Sequence, residues 1–113
     1  MKILLDECLP VDFRHHLSGH AVHSAEWAGF KGLKNGDLLR EAENAGYEVF
    51  LTTDQGIPHQ QNLAPRRISI IVIQSPTNQI EDLLPLVGAI LSKLAEIRPG
   101  QIAFALREGE AGH

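Results

Sequence analysis

Ile68-Ser-Ile-Ile-Val-Ile73 constrains this chain more than any other segment. Four isoleucines and a valine in six residues favour extended backbone, because β-branched side chains are stiff at χ1 and pack well on a pleated surface. No polar residue alternates through it, so neither face is prepared for water. Such a strand belongs in the middle of a parallel sheet, with helices over both faces.

The rest of the chain supplies those partners. Lys2–Leu5 is a short apolar run that stops at Asp6, and it reads as a buried strand. Ala21–His23 and Gln101–Leu106 read as further strands, and Val49–Thr52 as a strand that runs on to Asp54. Pro10 opens a helix carrying Leu9, Phe13 and Leu17 at spacings of four, and Gly19 closes it. Asn35-Gly36-Asp37 starts a second helix, with either polar side chain as cap. Leu38, Ala42 and Ala45 form its apolar stripe, and Gly46 stops it. A short helix over Gly56–Asn62, broken by Pro58, is expected next. A long one follows over Asn78–Ile97, kinked or started late at Pro85 and ended by Pro99-Gly100. Trp27–Lys34 reads as a loop. The expected fold is α/β with three layers: a central, mostly parallel sheet flanked by helices, spanning residues 1–108, with a frayed Gly-rich tail at 109–113.

A chain of 113 residues with 43% hydrophobic and 21% charged residues has enough apolar material for one globular core. No apolar run approaches the roughly 20 residues that cross a bilayer. The acids directly after Leu5 argue against a signal peptide. One cysteine, Cys8, excludes an internal disulfide. A cytoplasmic protein without membrane contact is expected. The net charge of −4 has the wrong sign for gripping nucleic acid by bulk charge. It leaves room for an enzyme that reaches phosphate through a metal and a local basic patch.

Parallel sheets bind ligands beyond the carboxyl ends of their strands. Asp6 and Glu7 end one strand and Asp54 another, while Asp37 and Glu41 share a helix face at i and i+4. Together they offer a ring of carboxylate oxygens of the kind that Mg²⁺ or Mn²⁺ prefers. Each acid has a plainer role open to it as turn former, helix cap or solvated charge. Gln60, Gln61 and Asn62 follow Asp54 closely and could line a cleft, with Arg66 and Arg67 on phosphate; a polar loop with solvated arginines is the equal alternative. Lys31 and Lys34 form a weaker second patch. His15, His16 and His20 lack a persuasive ligand spacing and read as surface residues, and Cys8 as a small, at least half-buried thiol. Trp27 and Phe30 read as core or lid residues, with base stacking the lesser alternative.

Met1-Lys-Ile-Leu-Leu-Asp-Glu-Cys-Leu-Pro10 resembles the opening of the short bacterial PIN-like proteins. Leu33-Lys-Asn-Gly-Asp37-Leu-Leu and Val49-Phe-Leu-Thr-Thr-Asp54 resemble that family's two later acidic blocks. The resemblance implies a PIN fold with Asp6, Asp37 and Asp54 as catalytic metal ligands and Glu7 or Glu41 assisting. It also implies a Mg²⁺- or Mn²⁺-dependent ribonuclease of a family that includes many toxins of toxin–antitoxin pairs, with RNA as substrate, an antitoxin protein as partner and a homodimer as the working form. One departure is plain: many relatives carry another acid two residues after the last Asp, where this chain has Gly56. A catalytically weak PIN-like module that binds nucleic acid or protein is therefore the second expectation. A phospho-accepting receiver-like domain is the third, weakened because Arg107, and no lysine, follows the last strand.

Overall fold

A computed structural model describes residues 1–57 and 66–107. Five short strands make one sheet: β1 (Lys2–Leu5), β2 (Ala21–Ser24), β3 (Val49–Thr52), β4 (Ser69–Ile73) and β5 (Ile102–Ala105). Their order is β2-β1-β3-β4-β5, and every pairing is parallel. The helical elements are a 3-10 helix (Val11–His16), α1 (Asn35–Asn44), α2 (Ile80–Leu83), a 3-10 turn (Leu84–Leu86) and α3 (Val87–Glu96). The expected three-layer α/β architecture is what forms.

β4 is buried at all five positions. Its side chains alternate between two cores, as the two-residue repeat of a strand requires. Ile71 and Ile73 join Ile3, Leu5 and Leu51 on one face, covered by Phe13, Leu86, Ile90 and Leu94. Ile70 and Val72 join Leu4 and Phe50 on the other, covered by Leu38, Leu39 and Ala42 of α1.

Several local readings are corrected. The helix after Pro10 is a 3-10 helix of six residues, not an α-helix of two turns. It closes through i→i+3 bonding, with Phe13 N–H donating to Pro10 O at 3.0 Å, and Leu9 and Leu17 pack from its flanks. α1 has Lys34 at its cap with no side-chain hydrogen bond there, and Asp37 lies inside its first turn. Ala45 is exposed at its end; the fully buried Leu39 takes its place in the stripe. The long helix starts at Ile80 and passes through the 3-10 turn at Pro85, whose missing N–H breaks the regular ladder. The expected helix over Gly56–Asn62 and the tail at 109–113 lie outside the described residues, apart from Gly56 and Ile57.

The carboxyl-terminal end of α1 is tied to the amino edge of the sheet. Lys2 Nζ donates to Ala45 O at 2.6 Å, and its ammonium sits 4.5 Å from the Tyr47 ring centroid. Gly46 follows with φ +89°, a left-handed conformation that side chains resist. From there α1 extends roughly 15 Å toward the other edge, at 1.5 Å per residue.

Candidate functional site

β1 leads outward to β2 on one side, and β3 leads outward to β4 on the other. Between β1 and β3 the order of the sheet therefore reverses, and a crevice opens beyond their carboxyl ends. Asp6 lies at that crevice. Its N–H donates to Leu51 O at 2.9 Å, which carries the β1–β3 pairing one residue past β1.

Thr52 organises this corner. It is fully buried. Its hydroxyl donates to Asp6 Oδ2 at 2.6 Å and accepts the Asp54 N–H at 2.9 Å. A buried hydroxyl must be paired, and this one is paired on both sides. Asp54 Oδ1 in turn accepts the Gly56 N–H at 2.9 Å, an Asx-type turn over Asp54–Gly56. Thr53 Oγ1 donates to Asn78 Oδ1 at 2.6 Å and lies 3.4 Å from Cys8 Sγ. Cys8 as a residue is exposed, contrary to expectation. Desolvation of its sulfur, more than the nearby Asp6 carboxylate, pushes the thiol pKa up.

Glu7 reaches across to the Trp27–Lys34 loop and accepts the Gly32 N–H at 2.8 Å. A cleft of about 200 Å³ opens here, with Leu9 and Val11 below and Asp6, Glu7, Ser24, Glu26 and Lys31 around it. Lys31 and Glu26 are exposed and 4.0 Å apart, so water screens most of their attraction.

The other predicted site residues lie elsewhere. Asp37 is paired with Arg40 at 2.6 Å on the exposed face of α1, and Glu41 is exposed one residue further on. Among the described residues, no three His, Cys, Asp or Glu side chains gather as a set that could hold a metal ion. The ring of five carboxylates is thus not assembled. Asp6 and Asp54 remain together at one corner. Two carboxylates suffice for Mg²⁺ or Mn²⁺ when water and substrate phosphate supply the other ligands, so by donor type Asp6 and Asp54 are the residues that would hold such an ion.

Arg67 sits at the opposite edge of the sheet. Its O accepts the Gly100 N–H at 3.0 Å, and its N–H and that of Ile68 donate to Glu43 of α1. Arg66 reaches back along α1, with Nη2 3.5 Å from Gly36 O. Gln60, Gln61 and Asn62 lie outside the described residues.

Compared with known protein families, curated proteins and solved structures, the chain matches none. Its function is therefore argued from its own residues. Thr52, Ser24 and Glu26 at the corner were not read from the sequence. Thr52 alone carried a signal: a hydroxyl as the last residue of an otherwise apolar strand, which must find a partner once buried.

Proposed function

We propose that the chain is a PIN-like, Mg²⁺- or Mn²⁺-dependent ribonuclease centred on Asp6 and Asp54. The observation that carries this reading is the shared Thr52 hydroxyl, which couples the Asp6 carboxylate to the Asp54 backbone at the switch point of the sheet. A bound metal would supply an activated water and neutralise charge on the phosphodiester. The protein's part is to hold Asp6 in one rotamer through Thr52, and to present Lys31 at the rim of the same cleft as a cation for phosphate. The reading makes RNA the substrate, an antitoxin protein the natural inhibitor, a homodimer the working form and the cytoplasm the location.

The test is incubation of the purified chain with unstructured RNA in Mn²⁺ and in EDTA. Wild type should cleave only with metal, and Asp6→Asn and Asp54→Asn should each lose cleavage. Cleavage that ignores EDTA, or that survives both substitutions, would sink the proposal.

A second reading, the catalytically weak binding module, is favoured by a specific observation. Glu7, Asp37 and Asp54 each already have a protein donor on one oxygen, and Gly56 stands where a further acid would help. RNA bound without metal-dependent cleavage would select it. The sheet order is also that of receiver domains; acyl-phosphate labelling of Asp54 would reveal that chemistry, although Leu106 and Arg107 follow β5 in place of the expected lysine.

A further inference from the structure

The chain's one tryptophan stands beside the Asp6 cleft and is 71% exposed. So open a ring is not a core residue, and one of its faces is free to meet a ligand. Trp27 is also braced. One ring face stacks on His23, with centroids 4.1 Å apart and planes 27° from parallel. His23 Nδ1 shares a 2.8 Å hydrogen bond with the hydroxyl of buried Tyr47, whose ring meets it edge-on. The Trp27 N–H donates to Ser24 Oγ at 3.1 Å. A cleft of about 290 Å³ lies between this stack, Val11 and Arg14.

Val11 and Ser24 line both this cleft and the one at Asp6, so the two are parts of one groove. Among the described residues no carboxylate pairs with Arg14. The groove thus offers a rigid aromatic face and an unneutralised guanidinium in the cleft that adjoins the acidic corner.

We propose that this groove is a base-binding subsite, in which a nucleobase of single-stranded RNA stacks on the open face of Trp27 and a neighbouring phosphate meets Arg14. The proposal rests on the nuclease reading for its account of why RNA should lie beside Asp6. One ring beside one cation matches one base beside its neighbouring phosphate in a single strand. Bases inside a duplex are already stacked and cannot present a face in this way. The polar surround of Arg14, His23 and Ser24 suits a nucleotide better than the apolar patch that usually anchors a protein partner.

A single tryptophan makes the test direct, because all tryptophan fluorescence comes from Trp27. The chain is titrated with a short uridine oligonucleotide and with an abasic strand of equal length, in EDTA and in Mg²⁺. The uridine strand should quench the emission and the abasic strand should not. Trp27→Ala should weaken binding roughly 5- to 150-fold, the range that loss of one base–aromatic stack produces. Trp27→Phe should retain most of the affinity, and thermal unfolding should show both variants folded. Quenching and loss of affinity without any metal-dependent cleavage would uphold the base subsite and discard the nuclease reading. Metal-dependent cleavage with unmoved fluorescence and an unaffected Trp27→Ala would do the reverse. Fluorescence that depends on protein concentration alone, with self-association lost in Trp27→Ala, would overturn the subsite in favour of a second copy of the chain. So would the absence of any oligonucleotide binding.

Discussion

Thr52 occupies a position where a valine would fill the same space, and the difference is one hydroxyl. That hydroxyl serves Asp6 and the Asp54 N–H at once. Thr52→Val leaves a part-buried amide and a part-buried carboxylate each short of a partner, which should cost about 1–3 kcal/mol in urea unfolding. Thr52→Ser should recover most of it, and RNA cleavage should follow the same order. Asp6→Asn is a different experiment. The asparagine can still accept from Thr52, while one negative charge leaves a corner shared with Glu7 and Glu26. The metal-free variant should be as stable as wild type or slightly more so, since repulsion is relieved. Mn²⁺ at a hundred times its dissociation constant should stabilise wild type by about 2.7 kcal/mol and the variant hardly at all. If Mn²⁺ shifts neither protein and the variant is clearly weaker, Asp6 is a structural acid, and the binding-module reading stands in its place.

Among the elements, α1 and β4 are joined by one carboxylate. Glu43 accepts the N–H groups of Arg67 and Ile68, which hold its carboxyl below the usual range; the Arg67 amide is the stronger cause. A lowered carboxyl contributes stability that is present at neutral pH and lost as pH falls through the ordinary carboxylate range. Glu43→Gln should therefore destabilise near neutral pH, and the difference from wild type should shrink in acid. Urea unfolding at about pH 7 and about pH 3.5 checks this against the ordinary glutamate value. At this scale the sheet was legible in the chain, because apolar runs between Gly, Pro and acidic residues leave little choice of element. The type of the first helix was not, since spacings of four do not separate a 3-10 turn flanked by leucines from an α-helix. Nor was the placement of Arg67. It follows Asp54 closely in sequence, which suggested a shared cleft. In an all-parallel sheet, however, the residues just before a strand lie at the edge opposite to those just after one. β3 and β4 run parallel, so Asp54 after β3 and Arg67 before β4 lie at opposite edges.

Taken whole, the molecule depends on two cores that share β4. Ile71 is fully buried between Leu51 and Ala103. Ile71→Ala should cost about 2–5 kcal/mol, a large part of the roughly 5–15 kcal/mol that domains possess. Leu84→Ala, at a site 41% exposed, should change little, and denaturant unfolding of both variants makes the comparison. The carboxylates were legible as strand ends but not as a set, because Asp37 rides on a helix whose rotation the sequence leaves open and whose neighbour Arg40 takes its charge.

The bond between Thr52 and Asp6 joins residues 46 apart in sequence. It cannot form until β3 has been made and laid against β1, so it is absent from any species in which only β1 and β2 have come together. Loop closure over that span is slow compared with local helix formation. The two edge strands can fray without disturbing it, whereas parting β1 from β3 destroys it. An ion or nucleotide held by this corner would therefore act as a clasp on the seam of the sheet. It would lengthen the lifetime of the folded chain and leave the rate of folding nearly untouched.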